Sequence, residues 1–101
     1  MKKIINGKKY DTETATKTGE WWNGYSCNDF SFCKETLYRK RTGEFFLFGD
    51  GGAKTRWAQA DGDGLRGGEG IEPLTEGEAR EWAERRLGVD EYESIFGDVE
   101  E

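Results

Sequence analysis

The sequence predicts an α+β domain: a small antiparallel sheet built on a central β-hairpin, covered by a C-terminal amphipathic helix and a short second helix. Two observations lead there. Two β-prone runs, Thr36 to Lys40 and Glu44 to Phe48, flank Arg41-Thr42-Gly43, a three-residue connection whose glycine suits the left-handed position of a bulged hairpin turn. Further on, Thr75 and Glu78 stand at capping-box spacing before an apolar stripe of Ala79, Trp82, Ala83 and Leu87. At 101 residues the chain has room for one modest core.

The elements follow in order. Ile4 and Ile5 precede Asn6-Gly7 and then Lys8 to Tyr10, which predicts a tight N-terminal hairpin. Asp11 is placed to cap a single helical turn around Ala15, and Thr16 to Trp22 reads as a strand that Gly19 bulges. Residues 23–33 mix turn formers with aromatics and read as loop. Because Phe45 to Phe48 do not alternate with polar residues, the second strand of the central hairpin should be covered on both faces. Gly49 to Gly70 carries 8 glycines in 22 residues and reads as a long functional or mobile loop. Ile71 to Leu74 then forms a short strand that Pro73 places near an edge. In the helix that follows, Glu76 with Arg80 and Glu81 with Arg85 make outward pairs, and Gly88 stands where a C-terminal glycine cap belongs. A second helix over Asp90 to Phe96 is capped by Asp90 and Glu93, turns Tyr92, Ile95 and Phe96 inward, and stops at Gly97. One domain over residues 1–97 and a frayed acidic tail over 98–101 complete the reading.

Composition narrows the chemistry. Leu, Ile, Val and Phe total only 17, so Trp and Tyr have to supply much of the buried area. That argument assigns Trp21, Trp22, Tyr25, Phe30 and Phe32 to the core. With no histidine, the commonest general base and metal ligand is missing, and two cysteines, Cys27 and Cys33, do not complete a zinc site. They read as reduced thiols of a cytoplasmic protein of a bacterial host, since no apolar N-terminal segment points to export and no long apolar run to a membrane span. Three catalytic or metal motifs fail on inspection. Around GDGGAKT, the preceding Phe48 and Ala53 stand where a phosphate loop needs glycine. Asp61 to Glu72 has calcium-loop length but Leu65 and Arg66 at the fifth and sixth positions. The many carboxylates yield spaced pairs by chance, with nothing to build a cleft around one. The expectation is a protein with no catalytic residues, no metal and no cofactor, acting by binding.

Charge points to the binding surface. Residues 1–60 carry 11 Lys and Arg against 7 acids, whereas residues 61–101 carry 4 Arg against 14 acids. INGKKYDTETA, TLYRKRTGEFFLFGDGG, IEPLTEGEAREWAERRL and DEYESIFGDVEE together resemble a family of small acidic proteins encoded on phages and mobile elements, some of which are anti-CRISPR proteins. The glycine-rich 61–70 stretch falls outside that pattern. The resemblance implies an inhibitor that binds a CRISPR effector nuclease of the Cas9 type by mimicking nucleic acid with an acidic surface. Asp61, Asp63, Glu69, Glu72, Asp90, Glu91, Glu93, Asp98, Glu100 and Glu101 are the candidate partner-binding residues, and no free nucleic acid should bind. An alternative is a nucleic-acid-binding module using the aromatic and basic 17–41 region, with Trp21, Trp22, Tyr25, Arg39 and Arg41 as its surface. A third is an accessory protein-protein interaction domain. The oligomeric state is left open.

Overall fold

A computed structural model describes residues 1–100. Asn6 (φ 51°) and Gly7 (φ 77°) both take left-handed conformations, as a two-residue hairpin turn requires, and join β1 (Lys2–Ile5) to β2 (Lys8–Asp11). Asp11 closes the next turn: its carboxylate accepts the Glu13 N–H at 2.9 Å, and its carbonyl accepts the Ala15 N–H at 3.1 Å. Next come β3 (Thr16–Trp22), β4 (Cys33–Arg39), β5 (Phe45–Gly51), the small pair β6 (Gln59–Asp61) and β7 (Gly64–Arg66), and β8 (Gly68–Leu74). The main sheet is antiparallel in the order β3-β4-β5-β8, so the predicted hairpin does occupy its centre. Gly43 takes φ 93°, and Lys40 and Glu44 close the turn through a 2.8 Å backbone bond and a 3.6 Å ion pair.

Alternation along β4 and β5 divides the core in two. Leu37, Phe45 and Leu47 face the helices, where Ala79, Trp82 and Ala83 complete a buried cluster. Phe46, fully buried, faces the other way with Tyr38 and Phe48, beneath the β1–β2 hairpin. There Tyr10 meets Phe46 edge-on with ring centres 5.5 Å apart, and Tyr38 stacks on Phe46 at 5.2 Å. Both faces of β5 are thus covered, with the helices on one side of the sheet and the N-terminal hairpin on the other.

Helix α1 (Glu76–Arg86) begins in the predicted capping box, with Thr75 Oγ1 accepting from the Glu78 N–H at 3.1 Å and Glu78 Oε1 accepting from the Thr75 N–H at 2.9 Å. Helix α2 (Val89–Phe96) packs Tyr92, Ile95 and Phe96 against the same core. The link between the helices differs from the expectation. Leu87 is the last cap residue of α1, and Gly88, with extended backbone, is the first of α2, so Asp90 lies inside the helix and caps nothing. A junction this short leaves no residue free for a left-handed stop. Glu76 pairs with Arg80 at 3.6 Å, but among the described residues no ion pair joins Glu81 to Arg85.

The largest departure is residues 49–70. In place of one long loop, β5 runs to Gly51, β6 and β7 form a hairpin, and β8 starts at Gly68. The cause is Trp57, which lies against these strands: a Cβ on Gly49 would sit 1.8 Å from its indole, and one on Gly70 would sit 3.2 Å away. Glycine here makes a seat for a buried ring.

Candidate interaction surface

One carboxylate organises the helix-facing side of the sheet. Glu35 shares the face of Leu37 on β4 and is 4% exposed. Its Oε1 accepts the Trp82 indole N–H at 2.8 Å, and its Oε2 accepts the Trp57 indole N–H at 2.8 Å and Arg56 Nε at 3.0 Å. Arg56 reaches on to Glu72 at 3.0 Å and lies over the Trp57 ring at 4.5 Å. Burial pushes the Glu35 acidity toward the neutral form, but the donors from Trp82, Trp57 and Arg56 outweigh it and hold the pKa below the usual carboxylate range. With three strong donors on its two oxygens this group is satisfied and serves the fold. It escapes sequence reasoning, although its in-phase position with Leu37 was a legible sign that it points inward.

The predicted partner-binding acids fall into two groups that the fold does not bring together. Asp61 ends β6 and Asp63 lies in the exposed Gly62-Asp63 turn of the β6–β7 hairpin, which Gln59 ties to the Glu69 carbonyl at 3.1 Å. Glu69 lies opposite Asp50 at the far end of β5, whereas Glu72 lies opposite Leu47, between the two groups, and is engaged by Arg56. Asp90, Glu91, Glu93, Asp98 and Glu100 belong to α2 and the segment after it, and the Phe96 ring lies 5.4 Å from that of Phe45, at the other end of β5. Six residues of strand, roughly 20 Å, separate the two ends. Glu101 lies outside the described residues. The tail is tied back at one point, where the Val99 N–H donates to Glu93 at 3.2 Å.

The second group belongs to a larger acidic layer. Residues 75–100 hold nine carboxylates against three arginines, while residues 1–74 hold 11 acids and 12 bases. Among the described residues, none of Glu81, Glu84, Asp90, Glu91, Glu93, Asp98 and Glu100 pairs with a cation, whereas Arg86 is drawn over the Trp21 ring at 3.8 Å. On the opposite face of the sheet, Lys2, Lys3, Lys8 and Lys9 are exposed on the β1–β2 hairpin. The charge asymmetry along the sequence has become an asymmetry across the sheet.

The alternative surface is also divided. Trp21 is half-buried under Arg86, and Arg39 stacks on Phe45 at 5.4 Å with Arg41 exposed beyond it. Trp22, next to Trp21 at the end of β3, lies opposite Lys34, at the end of the sheet away from Arg39. The assignment of all five aromatics to the core needs correction, because Trp22, Tyr25 and Phe30 are 54%, 50% and 67% exposed. The loop that carries them is fastened: Trp22 donates its indole N–H to the Tyr25 carbonyl at 2.7 Å, and Asn23 bridges to Ser31 and Cys33.

Cys27 and Cys33 are free thiols, and burial pushes the Cys33 thiol up. Among the described residues no three metal-ligating side chains converge, and no helix is long and apolar enough to cross a membrane. No family model, curated protein or solved structure matches the chain.

Proposed function

We propose that this is a non-catalytic binding protein that presents its acidic helical layer to a positively charged surface of a nucleic-acid-handling protein. The resemblance to phage and mobile-element inhibitors makes a Cas9-type CRISPR effector the partner, and inhibition the outcome. The observation that carries the reading is the segregation of charge, with nine carboxylates against three arginines on the helical side and the lysines of β1 and β2 behind the sheet. Effectors of that type hold nucleic acid in positively charged channels, where carboxylates take the place of phosphates. A lysine face turned away from the contact orients the encounter, because the field of the whole molecule acts before any contact forms.

The test is binding to a purified effector, with its DNA cleavage as the second readout. Capture and loss of cleavage are expected, with affinity falling as salt rises from about 50 to 200 mM, since exposed charges are screened over ~8–10 Å near physiological ionic strength. Absence of capture, or an affinity indifferent to salt, removes the proposal. A second reading is favoured by the exposure of Trp22, Tyr25 and Phe30 close to Lys34 and Lys54: bases of single-stranded nucleic acid stack on such side chains. A gel shift of free single-stranded RNA or DNA selects that reading over the first.

A further inference from the structure

Between α1 and α2 runs a groove of about 290 Å³, floored by Ala83, Leu87 and Tyr92 and walled by Val89 and Val99. Its size is at the small end for ligand clefts, which run to roughly 300–1,000 Å³, so it has room for one or two aliphatic side chains and little for a cofactor. Val89 and Val99 are 75% and 57% exposed, which is unusual in a chain with so few aliphatic residues. The far wall is held in place by the bond from the Val99 N–H to Glu93, after a turn at Gly97 with φ 90°. The only charged residues that line the groove among the described ones are Glu84 and Glu93, and no base occurs between Val89 and Glu100.

We infer that this groove is the anchor point of the acidic layer and takes an aliphatic side chain from a basic segment of the partner, flanked by Lys or Arg. The inference rests on the binding reading above and adds an apolar contact to it. Charge complementarity selects the occupant. A neutral or acidic segment seating a Leu between Val89 and Val99 would bring its flanks against Glu84 and Glu93, with Asp90 and Asp98 next in the chain to the two valines, and would offer no cation to offset them. A basic segment meets carboxylates on both sides while its apolar residue leaves water, the arrangement of a buried anchor within a polar rim.

Two synthetic helix-forming peptides test this: one of Leu and Lys with its leucines on one face, and one with every Leu replaced by Ser at equal charge. Each is titrated into the 101-residue protein by calorimetry and by amide NMR shifts. The Leu–Lys peptide is expected to bind at least tenfold more tightly and to shift amides of residues 83–99. Val89→Ser with Val99→Ser should remove most of that tenfold preference while leaving the melting temperature unchanged, because both side chains are largely exposed. Equal, salt-sensitive binding of the two peptides overturns the groove but leaves the electrostatic reading standing. Shifts centred on Trp22 to Phe30, an unaffected double variant, or no binding by either peptide overturn the groove as well. The acidic-layer reading fails on its own test, absence of capture by the effector.

Discussion

Glu35 and the carboxylates of α2 are the same functional group in opposite circumstances. Glu35 is buried, accepts three charged or polarised N–H donors and fixes two indoles and a guanidinium. Asp90, Glu91 and Asp98 are exposed, Glu93 is half-buried, and none of the four pairs with a cation among the described residues. A count of acids treats them alike. Partner number separates them: a carboxylate supplied with donors inside the chain is spent on the fold, and one left without a cation keeps its field for another molecule. Removing the first should therefore cost stability, and removing the second should cost association.

The largest effect is expected at Glu35. Glu35→Ala strands the buried indole N–H groups of Trp57 and Trp82 and leaves the half-exposed Arg56 with Glu72 alone, and each buried donor left without an acceptor costs about 1–3 kcal/mol. In a domain whose whole stability is of the order of 5–15 kcal/mol, denaturant unfolding should move sharply. A midpoint within a few tenths of a molar of wild type contradicts the hub. The same residue sets a pH dependence. Its folded pKa lies below its unfolded value of about 4.3, so its contribution is fully present above that value and is lost as pH falls through the lowered folded pKa. Glu20 and Glu44 are also shifted down, by Lys17 and Lys8, but these pairs are exposed and salt screens them. Acid unfolding measured at high salt therefore isolates Glu35, and Glu35→Gln should flatten it.

Smaller effects are expected in the glycine seat. Gly49→Ala drives a methyl group into the Trp57 ring, which its bond to Glu35 keeps from moving aside, and overpacking of this kind costs about 1–3 kcal/mol. Gly77→Ala is the control. Its Cβ would meet nothing closer than Thr75 Oγ1 at 3.9 Å, and replacing an open helical glycine by alanine stabilises by up to ~1 kcal/mol. Thermal melts that move both variants in the same direction contradict the assignment of the glycines near Trp57 to close packing.

These positions also mark where the sequence was readable. The Asn6-Gly7 turn, the Gly43 hairpin and the Thr75–Glu78 capping box were legible because each is decided within about four residues by φ preference or by a local hydrogen bond. The helix-facing stripe was legible by periodicity, and Ala79, Trp82 and Ala83 are buried. Gly49 to Gly70 was misread because glycine signals a loop locally and a close approach only when the approaching ring is known, and Trp57 reaches that seat through the fold. Glu35 depends on partners 21, 22 and 47 residues away. The acidic character of the second half was legible as a sum. Its division into two ends of the sheet was not, since strand register sets it: Gly51 pairs with Gly68, whereas Phe45 pairs with Leu74 beside the helices.

The smallest stability effect, and the one that sharpens the comparison most, belongs to the second class of carboxylate. Changing Asp90, Glu91, Glu93 and Asp98 together to their amides removes four negative charges from the helical side without removing a side chain. Asp90 and Glu91 sit in the first turn of α2, where each favourable contact with the helix dipole is worth about 0.3–1 kcal/mol at low salt. The loss of mutual repulsion among the four acids works in the opposite direction. Glu93→Gln keeps an oxygen that accepts the Val99 N–H, so the tail stays tied. The net change in stability should stay under ~1 kcal/mol, because substitutions on the surface away from buried networks are small. Association with a positively charged partner should slow markedly at low salt and converge on the wild-type rate as salt rises, since charge steering acts chiefly on the on-rate. Stopped-flow association across a salt series reads this directly. A folded quadruple variant that associates as fast as wild type at low salt would place the partner on another surface, and the exposed aromatics of Trp22, Tyr25 and Phe30 would be the next to substitute.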